Sequence, residues 1–108
     1  MAKSKKKLSS SDIAKSLKTL PGWAVDSDGA LYREFHFSDF SRAFGFMASV
    51  ATIAQELDHH PNWSNVYNKV NVRLNTHDVG GLTRLDFELA NRMNQFAEGD
   101  KKSGAGNR

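Results

Sequence analysis

Residues 38–61, SDFSRAFGFMASVATIAQELDHHP, constrain this chain more than any other stretch, because apolar residues recur there at helical spacing until a proline stops them. Ser38 or Asp39 can accept from the free N–H groups of a first turn, so the expected helix begins there and runs to about Leu57. One apolar stripe holds Phe40, Phe44, Met47, Ala51 and Ala54; its neighbour adds Ala43, Phe46, Val50, Ile53 and Leu57. Ser41, Gly45, Ala48, Ser49 and Thr52 fill the remaining face. Such small side chains let a second helix approach closely, and an oligomer interface is expected on that face. Pro61 disfavours helical backbone at His60, which places His59 and His60 where the helix gives way to a loop.

Beyond that loop the hydrophobic period changes from helical to alternate. Val66, Val70, Val72 and Leu74 fall on one strand face with Asn68, whereas Asn65, Tyr67, Lys69, Asn71, Arg73 and Asn75 take the other. A single strand of that span is unusual, so a hairpin bent around Asn68 and Lys69 is expected. Upstream, LSSSDIAKSLKTL reads as a short helix starting near Ser10 or Ser11, with Ile13, Leu17 and Leu20 as its apolar stripe. The turn residues DSDG separate a short strand at 23–25 from a second at 31–37, in which Leu31, Phe35 and Phe37 share a face. A last helix is expected over residues 83–97, with Leu85, Leu89, Met93 and Phe96 toward the core. Thr83 would cap it, and Asp86 three positions later only approximates the Glu or Gln of a capping box. Elements with one apolar face each, in the order helix, strands, helix, strands, helix, bury most simply as an α+β fold. Its antiparallel sheet is covered by helices on one face.

The chain's 108 residues suit one domain, set at 10–98. Segment 1–9 is a basic tail expected to be disordered, and 99–108 a flexible C-terminal tail. The formal charge of +3 belongs to these ends, since Lys3, Lys5, Lys6, Lys7, Lys101, Lys102 and Arg108 outweigh Asp100, while residues 8–98 carry a net −3. A mildly acidic body offers no signature of direct nucleic-acid binding. Neither a signal-peptide segment nor a bilayer-spanning run is present, so the expected protein is cytoplasmic with no membrane contact. The absence of cysteine excludes disulfides and thiolate metal sites. Gly80 and Gly81 do not form a nucleotide-binding fingerprint.

Two of the four histidines, His59 and His60, are adjacent at the helix-to-loop transition; His77 follows the second strand region and precedes DVGG. Imidazoles on loops held by a rigid scaffold suit proton transfer. Trp63 offers an apolar wall beside the pair, and Asp58 and Asp86 can orient imidazoles or simply cap helices. Adjacent histidines lack the spacing of a zinc site, so no metal is expected, and no nucleophile elbow accompanies the serines. Metal-free acid–base chemistry is the economical reading. His36, on the polar face of a strand, adds little to it.

The combination of FSDF (37–40), AFGFM (43–47) and LDHHPNWSNVYNKVNVRLNTHDVGGLT (57–83), with Trp23 and Asp86, resembles the pterin-4a-carbinolamine dehydratase family over most of residues 10–96. The resemblance implies a four-stranded antiparallel sheet backed by three helices. It also implies a homodimer or a dimer-based homotetramer, in whose tetrameric form the long central helix joins a four-helix core. The implied reaction removes water from 4a-hydroxytetrahydropterin to give quinonoid dihydropterin in pterin recycling, with the pterin as substrate and no cofactor. His59, His60 and His77 match the family's active-site histidines. On this reading His59 or His77 protonates the departing hydroxyl and His60 acts as base or orients. Pro61 and Trp63 shape the entrance and stacking wall, Asp86 orients a site group, and Trp23 packs near the pterin. Arg84 and Leu85 depart from the more polar pairs of these relatives. The alternative is a non-catalytic, dimer-stabilising module, since animal members bind a homeodomain transcription factor; nothing in these residues supports such a partner here.

Overall fold

A computed structural model describes residues 6–107, of which 99–107 as helical backbone alone. Residues 1–5 of the basic segment therefore lie outside the described residues, as does Arg108. The element order is α1 (Ser10–Leu17), β1 (Ala24–Val25), β2 (Leu31–His36), α2 (Phe40–Leu57), β3 (Asn62–Val66), β4 (Lys69–Leu74), a 3-10 turn (His77–Val79) and α3 (Arg84–Asn107). The strands form one antiparallel sheet in the order β1-β2-β4-β3, and the three helices pack on one face of it.

Capping explains where the first two helices begin. The Ser9 side chain accepts from Asp12 N–H to start α1, and Asp39 accepts from Arg42 N–H at 2.8 Å to start α2. Helix α1 lays Ile13 and Leu17 against the core, and Leu20 beyond it is buried. Leu8, assigned to the basic tail by composition, is tied to the domain by a 2.8 Å bond from its N–H to Leu82 carbonyl oxygen. Helix α3 continues to Asn107, past the expected end at 97.

The β1–β2 turn is closed by Asp26, whose Oδ1 accepts from Asp28 and Ala30 N–H and whose Oδ2 accepts from Arg73 Nε–H on β4. That Arg73 contact and the two backbone bonds hold the Asp26 carboxyl below its ordinary range. On the inner sheet face Leu31, Phe35, Val70, Val72 and Leu74 are all buried. Phe35 stacks among Phe37 and Phe46, with centroids 6.2 and 4.7 Å away.

One expectation needs correction. The stretch around Tyr67 is a hairpin, but β3 starts at Asn62 and its two-residue connection is Tyr67 and Asn68, with Tyr67 in positive φ. Val66 thereby pairs with Lys69 rather than continuing the phase of Val70, and it lies on the outer face, 68% exposed. Val66→Thr should leave stability within about 0.5 kcal/mol, whereas Val72→Ala, emptying a fully buried site, should cost about 2 kcal/mol. Midpoints of urea unfolding at constant slope would check both. Helix α2 buries only part of its apolar surface. Its buried residues are Ala43, Phe46, Val50, Ile53 and Ala54, so only one of the two apolar stripes faces the core in full. Phe40 and Phe44 of the other stripe are 51% and 56% exposed and pack on each other beside Gly45, where an added Cβ would meet nothing within 4 Å.

Candidate active site

Helix α2 ends so as to turn His59 inward. Asp58 adopts the left-handed conformation (φ 53, ψ 43), Asp58 N–H donates to Gln55 carbonyl oxygen and His59 N–H donates to Ala54 carbonyl oxygen at 3.0 Å. These are the paired bonds of a Schellman ending, usually built on glycine. Asp58 thus reverses the chain by its backbone, and its exposed side chain forms no hydrogen bond or ion pair with the histidines among the described residues. Asp58→Gly should hold stability within about 1 kcal/mol, while the β-branched Asp58→Ile should cost about 1–2 kcal/mol. Thermal unfolding of the two variants would separate the cases.

The inward ring of His59 is 7% exposed, and its Nε2 lies 2.5 Å from Oδ1 of the fully buried Asp86. The other carboxylate oxygen, Oδ2, accepts from Thr76 Oγ1–H at 2.8 Å and from Thr83 N–H at 2.9 Å. Thr83 is the N-cap of α3: its Oγ1 accepts from Leu85 N–H, and Asp86 reaches back to the Thr83 N–H as the acid of a capping box. Thr76 and Thr83 hydroxyls are 2.8 Å apart.

Proton positions follow from the acceptors. Thr76 spends its proton on Asp86, so Thr83 O–H donates to Thr76 Oγ1. A carboxylate oxygen accepts, so His59 Nε2–H is assigned as the donor to Asp86 and Nδ1 takes no part in this bond. No buried side-chain nitrogen or oxygen among the described residues lacks a partner. One carboxylate therefore satisfies groups from three segments of chain and fixes both the orientation and the tautomer of His59.

The same network brings the histidine-bearing segments together. His60 follows His59, and His77 follows Thr76, so both segments are stapled to one carboxylate at the start of α3. His60 and His77 are exposed, unlike His59. His60 Nε2–H donates to Gln55 Oε1 at 3.2 Å, whereas no side chain among the described residues holds the His77 ring. Pro61 is half-buried at the start of β3, and Trp63 lies half-buried on the inner face opposite Val72. Among the described residues no group of three potential ligands is arranged to hold a metal ion.

Trp23 does not join them. It is a core residue, edge-on to Phe35, and its indole N–H is spent on Asn94 Oδ1 at 2.8 Å. Asn94 stands eight positions along α3 from Asp86, about 12 Å at helical rise. His36 is also remote, paired with Glu34 on the outer sheet face. Sequence reading passed over Thr76 and Gln55. Thr76 carried a faint signal, a polar residue in the inward phase of Val70, Val72 and Leu74; Gln55 carried none.

The family model described as pterin 4 alpha carbinolamine dehydratase matches residues 6–96. A putative pterin-4-alpha-carbinolamine dehydratase of Sinorhizobium medicae is 50% identical over 94 residues, covering 86% of this chain and 90% of the relative. One from Mesorhizobium japonicum is 50% identical over 96 residues, covering 88% and 98%. The crystal structure of a transcriptional coactivator/pterin dehydratase from Brucella melitensis superposes with TM-score 0.83 at 48% identity, covering 85% of this chain and 99% of that one. A pterin dehydratase-like protein identified as a RuBisCO assembly factor in the alpha-carboxysome shares the fold, with TM-score 0.61 at 20% identity over 70% of this chain and 89% of its own.

Proposed function

The chain belongs to the pterin-4a-carbinolamine dehydratase family, and from that premise we propose that it converts 4a-hydroxytetrahydropterin to quinonoid dihydropterin and water. The observation that carries this reading is the buried His59–Asp86–Thr76 network, which sets one imidazole rigidly and presents two exposed ones from the adjoining positions.

Elimination needs two proton movements. The C4a–O bond breaks as the leaving hydroxyl takes a proton and departs as water; the N5–H proton is lost as the C=N bond forms. The proton count balances with no electron transferred, so no redox cofactor enters. His77, whose ring no side chain holds, is suited to deliver the proton to the hydroxyl and exchange it with solvent. His60, with Nε2–H committed to Gln55, keeps Nδ1 as the base for the N5 proton. His59 offers Nδ1 to the substrate from a ring that Asp86 holds still, which lowers the cost of ordering the complex. Trp63 and Pro61, beside the pair, supply the apolar wall against which a flat pterin stacks.

Stopped-flow ultraviolet spectroscopy of freshly generated 4a-hydroxytetrahydropterin is the direct test. The intact protein should speed loss of the carbinolamine over buffer; a rate equal to buffer would end the dehydratase reading and leave a binding module. The exposed Phe40–Phe44 pair and the small-residue face beside it support a homodimer or homotetramer, which a mass measurement in solution would distinguish. No helix among the described residues is long and apolar enough to cross a membrane, and the reading places the protein in the cytoplasm.

A further inference from the structure

Strand β2 alternates Leu31, Arg33 and Phe35 toward the helices, so a cation stands in an otherwise apolar inward row. It lines a cleft of about 430 Å³ between the β1–β2 side of the sheet and the middle of α3, shared with His36, Phe37, Asn91, Gln95 and Glu98. This cleft is separate from the histidine network, since Asn91 and Asn94 follow Asp86 along α3 by about 8–12 Å.

The guanidinium is held as a built group. Nη1 spends its hydrogens on Pro21 carbonyl oxygen at 3.2 Å and Asn94 Oδ1 at 2.7 Å. Asn94 is itself fixed, accepting from Trp23 Nε1–H and donating to the same Pro21 carbonyl. The Phe35 ring lies against the guanidinium, with its centroid 4.2 Å from Cζ. Gly22, at φ +88, makes room beside it, because a Cβ there would come within 2.7 Å of Cζ. With its position set by Phe35, Asn94 and Pro21, the side chain keeps Nε–H and Nη2 unspent. That edge presents two parallel donors, the pattern that matches a carboxylate.

No carboxylate among the described residues pairs with Arg33, although burial lowers its pKa and a desolvated cation without a counter-charge is costly. The neighbouring carboxylate Glu34 points to the opposite sheet face and pairs with His36. We infer that the Arg33 cleft binds a small carboxylate of amino-acid or aromatic-acid size, taken bidentately on the Nε/Nη2 edge, with Asn91 and Gln95 as further polar contacts. Glu98 on the lining selects against a second negative charge, so a monocarboxylate or a zwitterion binds in preference to phosphate.

The test uses the full chain labelled with ¹⁵N, titrated in the millimolar range with benzoate, phenylalanine or inorganic phosphate at fixed ionic strength. Saturable shifts of the Arg33 Nε–H and Asn94 side-chain amide signals are expected with benzoate or phenylalanine, and at least tenfold weaker ones with phosphate. Arg33→Lys, which loses the fork, should weaken benzoate binding at least tenfold. Glu98→Gln, at an exposed side chain, should narrow the preference over phosphate at least threefold, so the inference remains testable even if the lysine variant does not fold. Equal responses to the three anions, or no saturation at Arg33 with either carboxylate, would overturn it. None of these readouts depends on dehydratase activity.

Discussion

Asp86→Asn is expected to give a folded protein that has lost at least a hundredfold of its dehydration rate, whereas Asp86→Ala should scarcely fold. The difference lies in what each side chain offers to the three groups converging on it. Asparagine keeps the size of aspartate and one carbonyl oxygen, which can still accept from Thr76 O–H and Thr83 N–H. Its amide nitrogen then faces His59 and must donate. The ring answers by accepting at Nε2 and moving its proton to Nδ1, the position that the substrate meets. A ring held in the wrong tautomer is a known route to losses of about 10⁴-fold in a triad, so a hundredfold loss is a conservative expectation. The stability cost should stay near 1–2 kcal/mol, one charge-assisted bond exchanged for a neutral one.

Alanine has no such compensation. It leaves His59 Nε2, the Thr76 hydroxyl and the Thr83 N–H without their acceptor, all in a region where Asp86 is 0% exposed. Each stranded buried group costs about 1–3 kcal/mol. Against a total of about 5–15 kcal/mol for a small domain, that removes much of the stability. Calorimetry should show a fall of about 15–30 °C in Tm for Asp86→Ala and only a few degrees for Asp86→Asn. Equal losses of stability in both would mean that the carboxylate's charge, not its capacity to accept, holds the network.

Local signals in the sequence encode some of these features and not others. Helix α2 was legible to its cap and its last residue, because Asp39, the apolar spacing and Pro61 act locally. The phase of β3 was not, because one positive-φ residue at Tyr67 decides which face Val66 takes. Asp86 was visible as a helix-capping acid and, through family resemblance, as an orienting one. That a single carboxylate does both required Thr76 and His59, ten and twenty-seven residues away, to arrive at its two oxygens. Such convergence is a product of tertiary packing, and no spacing rule encodes it. Trp23 shows the opposite limit of sequence reading. An aromatic residue carries the same sequence signal whether it stacks on a ligand or, as here, closes a core and spends its N–H on Asn94.

His60→Ala and His77→Ala should behave unlike any change at Asp86, losing rate with no loss of fold. Both rings are exposed, and His60 makes one hydrogen bond at 3.2 Å to an exposed glutamine. Each substitution should therefore move unfolding free energy by less than about 0.5 kcal/mol. The rate should fall about 10²–10⁴-fold if each ring handles a proton in the elimination. Added imidazole, free to enter the space left by an exposed ring, should restore part of the rate in each. The double variant is the sharper measurement. If one ring gives a proton and the other takes one in the same transition state, removing the second after the first costs little more, and the combined loss falls well short of the product of the single losses. Losses that multiply would place the two histidines in separate steps. Full rates in both single variants, with the fold intact, would leave His59 as the only imidazole serving the reaction and remove the acid–base pair assigned to His77 and His60.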